Sequence, residues 1–439
     1  MVEAGFPSCE RRDSGVYHKE ELMNVLTVSH LKKGVSMLAF AGMMVGASAA
    51  VAVAQSDNGD SSNSSSMQSD SSSGSGAVSS DSFDSSFSAM EKLQDVAKNG
   101  KGKIGILLPE TTTSARYTSF DAPYLQKAFD KAGLSKDDYT ITNAQGSEST
   151  QLTQAQSAIS QGAKVLLVDP ISSGVGASVE NYAKEHGVPV IDYDRLTVGG
   201  NRDYYVSFDN EDVGKKIGQG FVKCVQDWGV KSPNVLIMDG AATDNNATLF
   251  AKGYNGVLKS KFDGGDWTKV GEPAGTWDPS KARTTFEQQM TAHNNINSVV
   301  TPNDDNANAV ISYLKSINVP ANKFPTTGQD ATLTGLQNVL AGYQCGTVYK
   351  PIYKEAQAAA ALALYLRADQ KPPQGLVSGS TEDSKGGNAV PSVLVSSIWV
   401  TPDNMNDTVV KDNFVDPSKL CAGNYADACK KAGISTSSK

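Results

Sequence analysis

The sequence predicts an α/β protein made of two doubly wound lobes, each a mainly parallel sheet with helices on both faces. Three observations lead to this prediction. Short apolar runs alternate with helical stretches, and the alternation occurs twice along the chain in two series of similar size. The 439 residues are too many for one ordinary core. Forty glycines and an aromatic content of 7% suit tight strand–helix turns better than an all-β fold.

The first series alternates five predicted strands with three predicted helices. Its opening run, KIGILLP, is apolar and rich in β-branched residues, as is typical of a buried parallel strand. The strands are Lys103–Pro109, Tyr139–Asn143, Lys164–Asp169, Pro189–Tyr193 and Tyr204–Phe208, the last toward a sheet edge. The helices are Tyr124–Lys131, Gln151–Gln161 and one that ends near His186.

The second series repeats the pattern, and two late elements return the chain to each lobe. The strands are Val235–Asp239, Lys269–Glu272, Ser298–Thr301 and Pro325–Gly328; the helices are Asn246–Ser260, Pro279–His293 and Asn306–Ser316. An Ala-rich helix, Glu355–Ala368, and a strand, Ser392–Val400, follow. We therefore assign residues 89–208 and 351–376 to the first lobe, and 209–350 and 392–439 to the second, with right-handed crossovers.

The N-terminal region carries an export signal followed by a spacer. Lys32 and Lys33 precede a charge-free apolar stretch, Gly34–Ala54, that ends in Ala-Val-Ala, so residues 1–54 are predicted to be an N-terminal extension with a secretory signal. A retained membrane anchor is the alternative, and Met23 is an alternative start. Residues 55–88 are mostly Ser, Asp and Gly, which predicts a disordered linker. We expect an exported protein, held at the cell surface or the outer face of the membrane.

The composition argues against several classes of protein. With a net charge of −8 and no Lys/Arg-dense run in the folded part, nucleic acid is not an expected partner. The four histidines, His18, His30, His186 and His293, do not suit a metal centre or a catalytic triad. Neither a Gly-rich phosphate loop nor a nucleophile elbow follows a predicted strand. We expect no catalytic residues, no cofactor and no metal, with a glycosidase using paired carboxylates as the alternative.

Four of the five cysteines follow the export signal and allow three disulfide pairings. Cys421 and Cys429 flank a short polar loop, so a local disulfide is the preferred pairing there in an oxidising compartment. Cys224 with Cys345 then follows by elimination. Four free thiols remain the alternative.

Polar residues stand at the carboxyl ends of nearly all the predicted strands. In open α/β sheets ligands bind at those ends, so two facing sheets would line one cleft. The alternative is that these residues cap the following helices. Carboxylates, amides and guanidinium groups match sugar hydroxyls, and Tyr117 or a rim-placed Trp277 could pack on a pyranose face. The strand-end residues are Glu110, Asp169, Asp192–Arg195, Asp239–Asn246, Asn303-Asp304 and Gln329-Asp330.

Several motifs carry a resemblance to a known family. They are IDYDRL…DYYVSFDNEDVGK (Ile191–Lys215), DGAATDNNATLF (Asp239–Phe250), TPNDDNANAV (Thr301–Val310), GQDATLTGLQNVLAGYQCGTVYKPI (Gly328–Ile352) and the loop around Trp277. From Lys103 to Thr401 the chain resembles the periplasmic binding proteins for xylose and related aldoses. The resemblance implies the type I periplasmic-binding-protein fold, whose two lobes are joined by three crossovers and close on a sugar. It implies a monomeric, non-enzymatic receptor of an ABC importer that delivers a monosaccharide to a membrane permease. A chemosensory partner and an exported sugar-active enzyme are the alternatives.

The resemblance also implies ten sugar-binding residues. Two readings stay open beside it: Asp330 and Lys350 could form a salt bridge that stiffens the hinge, and Arg195 could be structural. The cognate sugar stays open among xylose, arabinose, ribose, glucose, galactose and fructose, because Tyr117 stands where a Trp is common. The ten residues are Arg116, Tyr117, Asp194, Arg195, Asp244, Asn246, Trp277, Asn303, Asp330 and Lys350.

Overall fold

The structure, a computed structural model, describes residues 78–436, which fall in one compact unit. The predicted signal segment and the first part of the predicted linker lie outside the described residues. In the part of the chain that is described, no helix has both the length and the apolar character needed to cross a bilayer.

Strands of the described residues form three sheets. The first sheet has seven strands in the order β10-β11-β5-β4-β3-β1-β2, the second has three in the order β7-β6-β8, and the third pairs β12 with β9. Their bounds are Lys103–Leu108 (β1), Tyr139–Asn143 (β2), Ala163–Val168 (β3), Val190–Tyr193 (β4), Tyr204–Phe208 (β5), Asn234–Ile237 (β6), Thr268–Gly271 (β7), Ser298–Val300 (β8), Thr347–Tyr349 (β9), Gly379–Glu382 (β10), Ala389–Val395 (β11) and Ile398–Val400 (β12).

Helices cover the faces of these sheets. Most begin at a Ser, Thr, Asp or Asn whose side chain accepts a hydrogen bond from a first-turn N–H, as N-cap residues do. The helices are Ser88–Glu91 (α1), Gln94–Asn99 (α2), Ala122–Lys131 (α3), Glu148–Ser160 (α4), Ser173–Glu185 (α5), Asn210–Asp227 (α6), Asn245–Asp263 (α7), Pro279–Ala292 (α8), Asp304–Ser316 (α9), Leu333–Leu340 (α10), Ile352–Arg367 (α11), Pro417–Leu420 (α12) and Ala426–Lys431 (α13).

The predicted fold class is confirmed, but the late strand is divided between the lobes. Within β11, residues 392–395 pair in parallel with β5 in the first sheet, and only Ile398–Val400 pair with β9 in the second lobe. Residues 392–395 therefore do not belong to the second lobe as predicted. Tyr204–Phe208 is an inner strand rather than an edge, because the β10–β11 hairpin extends the sheet beyond it.

In the second lobe, the predicted strand Pro325–Gly328 is an extended connection rather than a regular strand. Its backbone lies between β8 and β9, with Val299 N donating to Pro325 O (2.9 Å) and Val348 N donating to Gly328 O (3.0 Å). Gln329 then makes an isolated parallel bridge with Val348. This segment joins the three-stranded and two-stranded sheets into one layer of the second lobe.

The chain passes between the lobes three times within the described residues. The first passage follows β5, the second runs from β9 into α11, and the third links β11 to β12. Helix α11 packs against α3 and strands of the first sheet. These three passages are the crossovers that the family resemblance implies, and they place the carboxyl ends of β1, β3 and β4 opposite the second lobe.

The ordered part of the chain begins before the predicted end of the linker. Phe83 and Phe87 are 1% exposed and belong to the core of the first lobe, with Val78 and Met90. The ring of Phe87 lies 5.8 Å from that of Tyr124 on α3. The prediction of a disordered linker up to residue 88 is therefore wrong for residues 78–88, because two phenylalanines four residues apart supply enough apolar area to anchor a Ser-rich stretch.

The C-terminal segment closes over the second passage between the lobes. Phe414 stacks on Phe120 of the first lobe with centroids 4.3 Å apart, and Asp412 accepts hydrogen bonds from Tyr349 (3.0 Å) and Tyr353 (2.9 Å).

Two disulfides are present among the described residues. One joins Cys224 to Cys345 and the other joins Cys421 to Cys429, with Cα atoms 5.6 and 5.7 Å apart. The first ties the C-terminal end of α6 to the loop before β9, so it crosslinks elements within the second lobe.

Candidate ligand-binding site

A cavity lies between the lobes, and all ten predicted sugar-binding residues line it. The unfilled space between its walls, including the solvent at its mouth, is about 300 Å³, so the cavity is small. The predicted residues come from strand ends, helix starts and loops of both lobes. Three further residues, Ser114, Phe250 and Gln329, complete the lining.

Arg116 is buried, and carboxylates of the first lobe engage its guanidinium group. It makes a bidentate contact with Asp121 (2.9 and 2.7 Å), and it also donates to Asp194 (2.7 Å) and Glu355 (3.0 Å). Burial alone would lower the pKa of Arg116, but these carboxylates outweigh it and raise the pKa well above its usual value. Since its nitrogens are occupied, Arg116 orients Asp194 more than it offers free donors to a ligand.

Asp194 is held at a turn after β4 and directs a free carboxylate oxygen toward the cavity. Its φ of 60° lies in the left-handed region, a strained backbone found often at functional sites. Oδ1 accepts from Arg116, whereas Oδ2 accepts no hydrogen bond from a described residue. Burial opposes ionisation of Asp194, but Arg116, Lys350 and Arg195 outweigh it and lower its pKa. Asp194 is therefore held in its ionised form, with one carboxylate oxygen that accepts no hydrogen bond from a described residue.

Arg195 and Asp244 connect the two lobes. Arg195 follows β4 in the first lobe, and its Nε lies 3.1 Å from Oδ2 of Asp244, the residue that caps α7 in the second lobe. Arg195 also donates to the Tyr117 hydroxyl (2.8 Å). Burial raises the pKa of Asp244, and the charge of Arg195 opposes that effect. The pair is a charged contact between the two lobes.

Trp277 lies half-buried on the second-lobe side of the cavity. Its indole N–H donates to Asp244 (3.0 Å), and its ring lies so close to Gly240 that a Cβ there would come within 2.2 Å of it. The ring of Phe250 meets it edge-on at 6.4 Å. The absence of a side chain at Gly240 thus lets the ring lie against the backbone with its position fixed.

Lys350 and Asp330 form the ion pair that the sequence left open as a hinge contact. Lys350 Nζ lies 3.1 Å from Asp330 Oδ1, without the alignment of a hydrogen bond, and 4.0 Å from Asp194 Oδ1. Both residues line the cavity as well. Lys350 follows β9 directly at the second passage, so the pair has both a hinge position and a cavity position.

Asn246 and Asn303 are helix-associated amides in the cavity wall. Asn246 donates to the Asp194 carbonyl across the lobes (2.9 Å). Asn303 caps α9 by accepting from Asn306 N–H (3.0 Å), which leaves its own Nδ2 without a partner among the described residues. Asn303 can therefore cap α9 through Oδ1 and still offer Nδ2 to a ligand, so the two interpretations of this residue are compatible.

Other strand-end residues lie behind the cavity. Asp304 is buried and accepts from Thr332 N (2.8 Å), Gln344 (2.8 Å) and Thr347 (2.9 Å). Burial, with the charge of Asp330, raises the pKa of Asp304 to about 7. Like Asp304, the residues Glu110, Asp169, Asp192 and Asp239 do not line the cavity.

Three lining residues are not among the ten that the family resemblance implies. Gln329 was named only with Asp330 as a polar strand-end residue expected to face the cleft. Ser114 lies in the loop after β1, and Phe250 is on α7 at the end of the motif Asp239–Phe250. Neither was singled out as a contact, because only the meeting of the two lobes brings them to the cavity.

Two α/β lobes joined by three passages, with a polar cavity enclosed between them, define a solute-binding protein of the clamshell type. Residues 104–371 match the periplasmic binding protein domain family. The D-xylose-binding periplasmic protein of Escherichia coli (strain K12) is 37% identical over 282 residues, which cover 64% of this chain and 82% of that protein. A multiple sugar-binding periplasmic receptor of Rhizobium radiobacter is 29% identical over 339 residues, 73% of this chain and 92% of that protein.

Solved structures give the same result. A carbohydrate transporter solute-binding protein of Chloroflexus aurantiacus, in complex with D-glucose, superposes with a TM-score of 0.64 at 27% identity, covering 72% of this chain and 97% of that one. The chain belongs to the periplasmic binding protein family, with the type I fold.

Proposed function

We propose that this protein is the extracytoplasmic receptor of an ABC importer and that it binds one neutral monosaccharide between its lobes. The observation that carries this proposal is the charge balance of the cavity wall. The wall holds three cations, and each is paired with a carboxylate of the same wall: Arg116 with Asp194 (2.7 Å), Arg195 with Asp244 (3.1 Å) and Lys350 with Asp330 (3.1 Å).

A balanced wall favours an uncharged ligand. A sugar acid or sugar phosphate would bring a charge with no partner of its own into a buried site, which is costly. Hydroxyl groups instead both donate and accept, so they suit Asp194 Oδ2 and Asn303 Nδ2, which have no partner among the described residues. The small cavity and the Trp277 ring beside it fit a single pyranose or furanose ring. Pentoses and hexoses are therefore the ligand class, with an aldose such as xylose as the leading candidate, as in the Escherichia coli relative.

Binding is proposed to proceed by closure of the lobes. Contacts such as Arg195–Asp244 and the hydrogen bond from Ala115 N to Asp305 (3.0 Å) join the lobes directly. A sugar that touches both walls adds to these contacts and shifts the population toward the closed form. The closed form is then the species that a membrane permease recognises. We propose that the protein acts as a monomer, performs no chemistry on the sugar, and is held at the membrane or cell surface by the region before residue 78.

The experiment is a thermal-shift screen of the purified protein against D-xylose, L-arabinose, D-ribose, D-glucose, D-galactose and D-fructose. A sugar present at a hundred times its dissociation constant should add about 2.7 kcal/mol to the free energy of unfolding. Calorimetry should then give a one-to-one complex, and chromatography should recover the sugar unchanged.

Two variants separate cavity binding from nonspecific effects. Asp330→Ala should abolish the sugar-dependent shift because it removes a wall carboxylate, whereas Glu91→Ala, which breaks an exposed ion pair with Lys131, should keep it. No shift with any sugar, or equal shifts in both variants, would refute the proposal.

A further inference from the structure

Gln329 is buried in the cavity wall, and its side-chain amide makes no hydrogen bond within the described part of the chain. The residue is 3% exposed, and neither its Oε1 nor its Nε2 has a partner among the described residues. Nearly all buried side-chain amides in proteins are hydrogen-bonded, because leaving one unpaired costs free energy. Gln329 therefore differs from Arg116 and Asp244, whose polar atoms in the same wall are satisfied by protein neighbours.

The backbone holds this amide at a fixed place. Gln329 bridges Val348 in parallel, its carbonyl accepts from Asp304 N (3.0 Å), and the next residue donates from its N–H to Val348 O (2.8 Å). A side chain on such a clamped segment has little freedom to turn elsewhere for a partner.

An unusual backbone lets Gln329 and its neighbour line the same cavity. In a regular strand, successive side chains point to opposite faces. Here Asp330 has φ 93° and Ala331 has φ 52°, two consecutive non-glycine residues in the left-handed region. Such a conformation is strained and persists where surrounding structure imposes it, often at functional sites. This backbone conformation ends the extended segment at Gln329, and it brings the amide of Gln329 and the carboxylate of Asp330 to the same wall of the cavity.

We infer that Gln329 is a specificity-determining contact that hydrogen-bonds one hydroxyl group of the sugar. This inference rests on the proposed function. An amide carries both donors and an acceptor, so it can pair with a hydroxyl in either role, whereas it gains nothing from a methylene group. The ligand thus has a hydroxyl at the position that faces Gln329, and sugars deoxygenated there are rejected.

The test combines Gln329→Met with a set of monodeoxy sugars. Methionine is close in length and has no amide, so it keeps the cavity filled. For the sugar selected by the thermal-shift screen, Gln329→Met should weaken binding about 10- to 100-fold by calorimetry. In the wild type, each deoxy analogue should bind more weakly than the parent sugar. In Gln329→Met, the analogue that lacks the hydroxyl facing residue 329 should bind almost as tightly as the parent sugar, because that hydroxyl has no partner in the variant. The other analogues should show the same loss of affinity in both proteins.

Further readouts distinguish the alternatives. The sugar-free melting temperature of Gln329→Met should equal or exceed that of the wild type, because an unpartnered amide does not stabilise the fold; a clear drop would make Gln329 structural and overturn the inference. Unchanged affinity in the variant, or deoxy penalties that all stay the same, would also overturn it while leaving the proposed function intact. A wild-type protein that binds no monosaccharide would overturn both.

Discussion

The Arg195–Asp244 pair offers the sharpest test of how closure and binding are coupled. The two side chains belong to different lobes, both are buried, and Nε lies 3.1 Å from Oδ2. We consider the single variants Arg195→Met and Asp244→Asn and the double variant that carries both. Methionine retains much of the apolar stem of the arginine, and asparagine remains a good N-cap residue at the start of α7.

The expected loss of sugar affinity in each variant depends on whether a buried charge is left without its partner. Removing one partner of a buried ion pair costs about 3–5 kcal/mol, because the other charge stays buried without compensation. Since the pair joins the two lobes, that cost should fall on closure and raise the sugar dissociation constant by about 100-fold or more. The double variant leaves neither charge, so its loss should be close to that of one single variant. The coupling energy should therefore equal one single-variant loss, about 3–5 kcal/mol.

Calorimetry with the selected sugar measures the four dissociation constants of the cycle. The matched control is the exposed pair Lys223–Asp227 within α6, which lies in one lobe and should show coupling below about 0.5 kcal/mol. Losses for Arg195→Met and Asp244→Asn that simply add within about 0.5 kcal/mol would refute the reasoning, because independent sites behave in that way.

Three further outcomes are expected. Burial and the charge of Asp330 raise the pKa of Asp304 above its unfolded value, so the stabilising contribution of Asp304 is complete at low pH and is lost as the pH rises from about 4 to 7. Over that window, chemical denaturation should show the wild type losing on the order of 4 kcal/mol of unfolding free energy relative to Asp304→Asn. Parallel pH dependence of the two proteins would contradict this. Replacing Cys224 and Cys345 by Ser should cost about 5 kcal/mol of unfolding free energy, since the disulfide closes a long loop with a separation of 121 residues; no change in the denaturation midpoint would contradict this. Phe87→Ala should destabilise the fold by about 3–5 kcal/mol, and a loss below 1 kcal/mol would mean that residues 78–88 do not contribute to the core.

The strand–helix alternation could be predicted from the sequence because buried parallel strands are short apolar runs, which stand out from the longer, more polar helical stretches between them. Helix α6 was not predicted, and its glycines explain why. Gly214 and Gly218 lower helix propensity, yet a Cβ at Gly214 would come within 2.2 Å of the Phe250 carbonyl oxygen, and one at Gly218 within 2.9 Å of Val257. These glycines allow α6 to pack closely against α7, a requirement that only the tertiary structure reveals.

The sequence predicted which residues line the candidate site, but not which of their polar atoms are paired with other protein groups and which are free. Motif positions indicated that Arg116 and Asp194 belong to the cavity, and they do line it. Nothing local indicated that Asp121 and Glu355 would occupy the guanidinium group of Arg116, because those carboxylates come from a different turn and from α11. Which polar atoms remain free for a ligand depends on such partners. The sequence placed Gln329 at a strand end, but only the structure shows that its side-chain amide makes no hydrogen bond to a described residue.

The way in which the chain enters the fold bears on how a tethered receptor could work. Residues from Val78 onward are anchored in the first lobe: Ser80 N donates to Gly375 O (3.2 Å), and Gln357 of α11 donates to Asp84 O (2.8 Å). If the region before residue 78 holds the protein at a surface, as proposed, a force through that region acts on a core built around α3 and α11. The lobe that carries Asp244 and Trp277 is joined to that core only through the three passages, so attachment at the first lobe leaves the second lobe free to open and close.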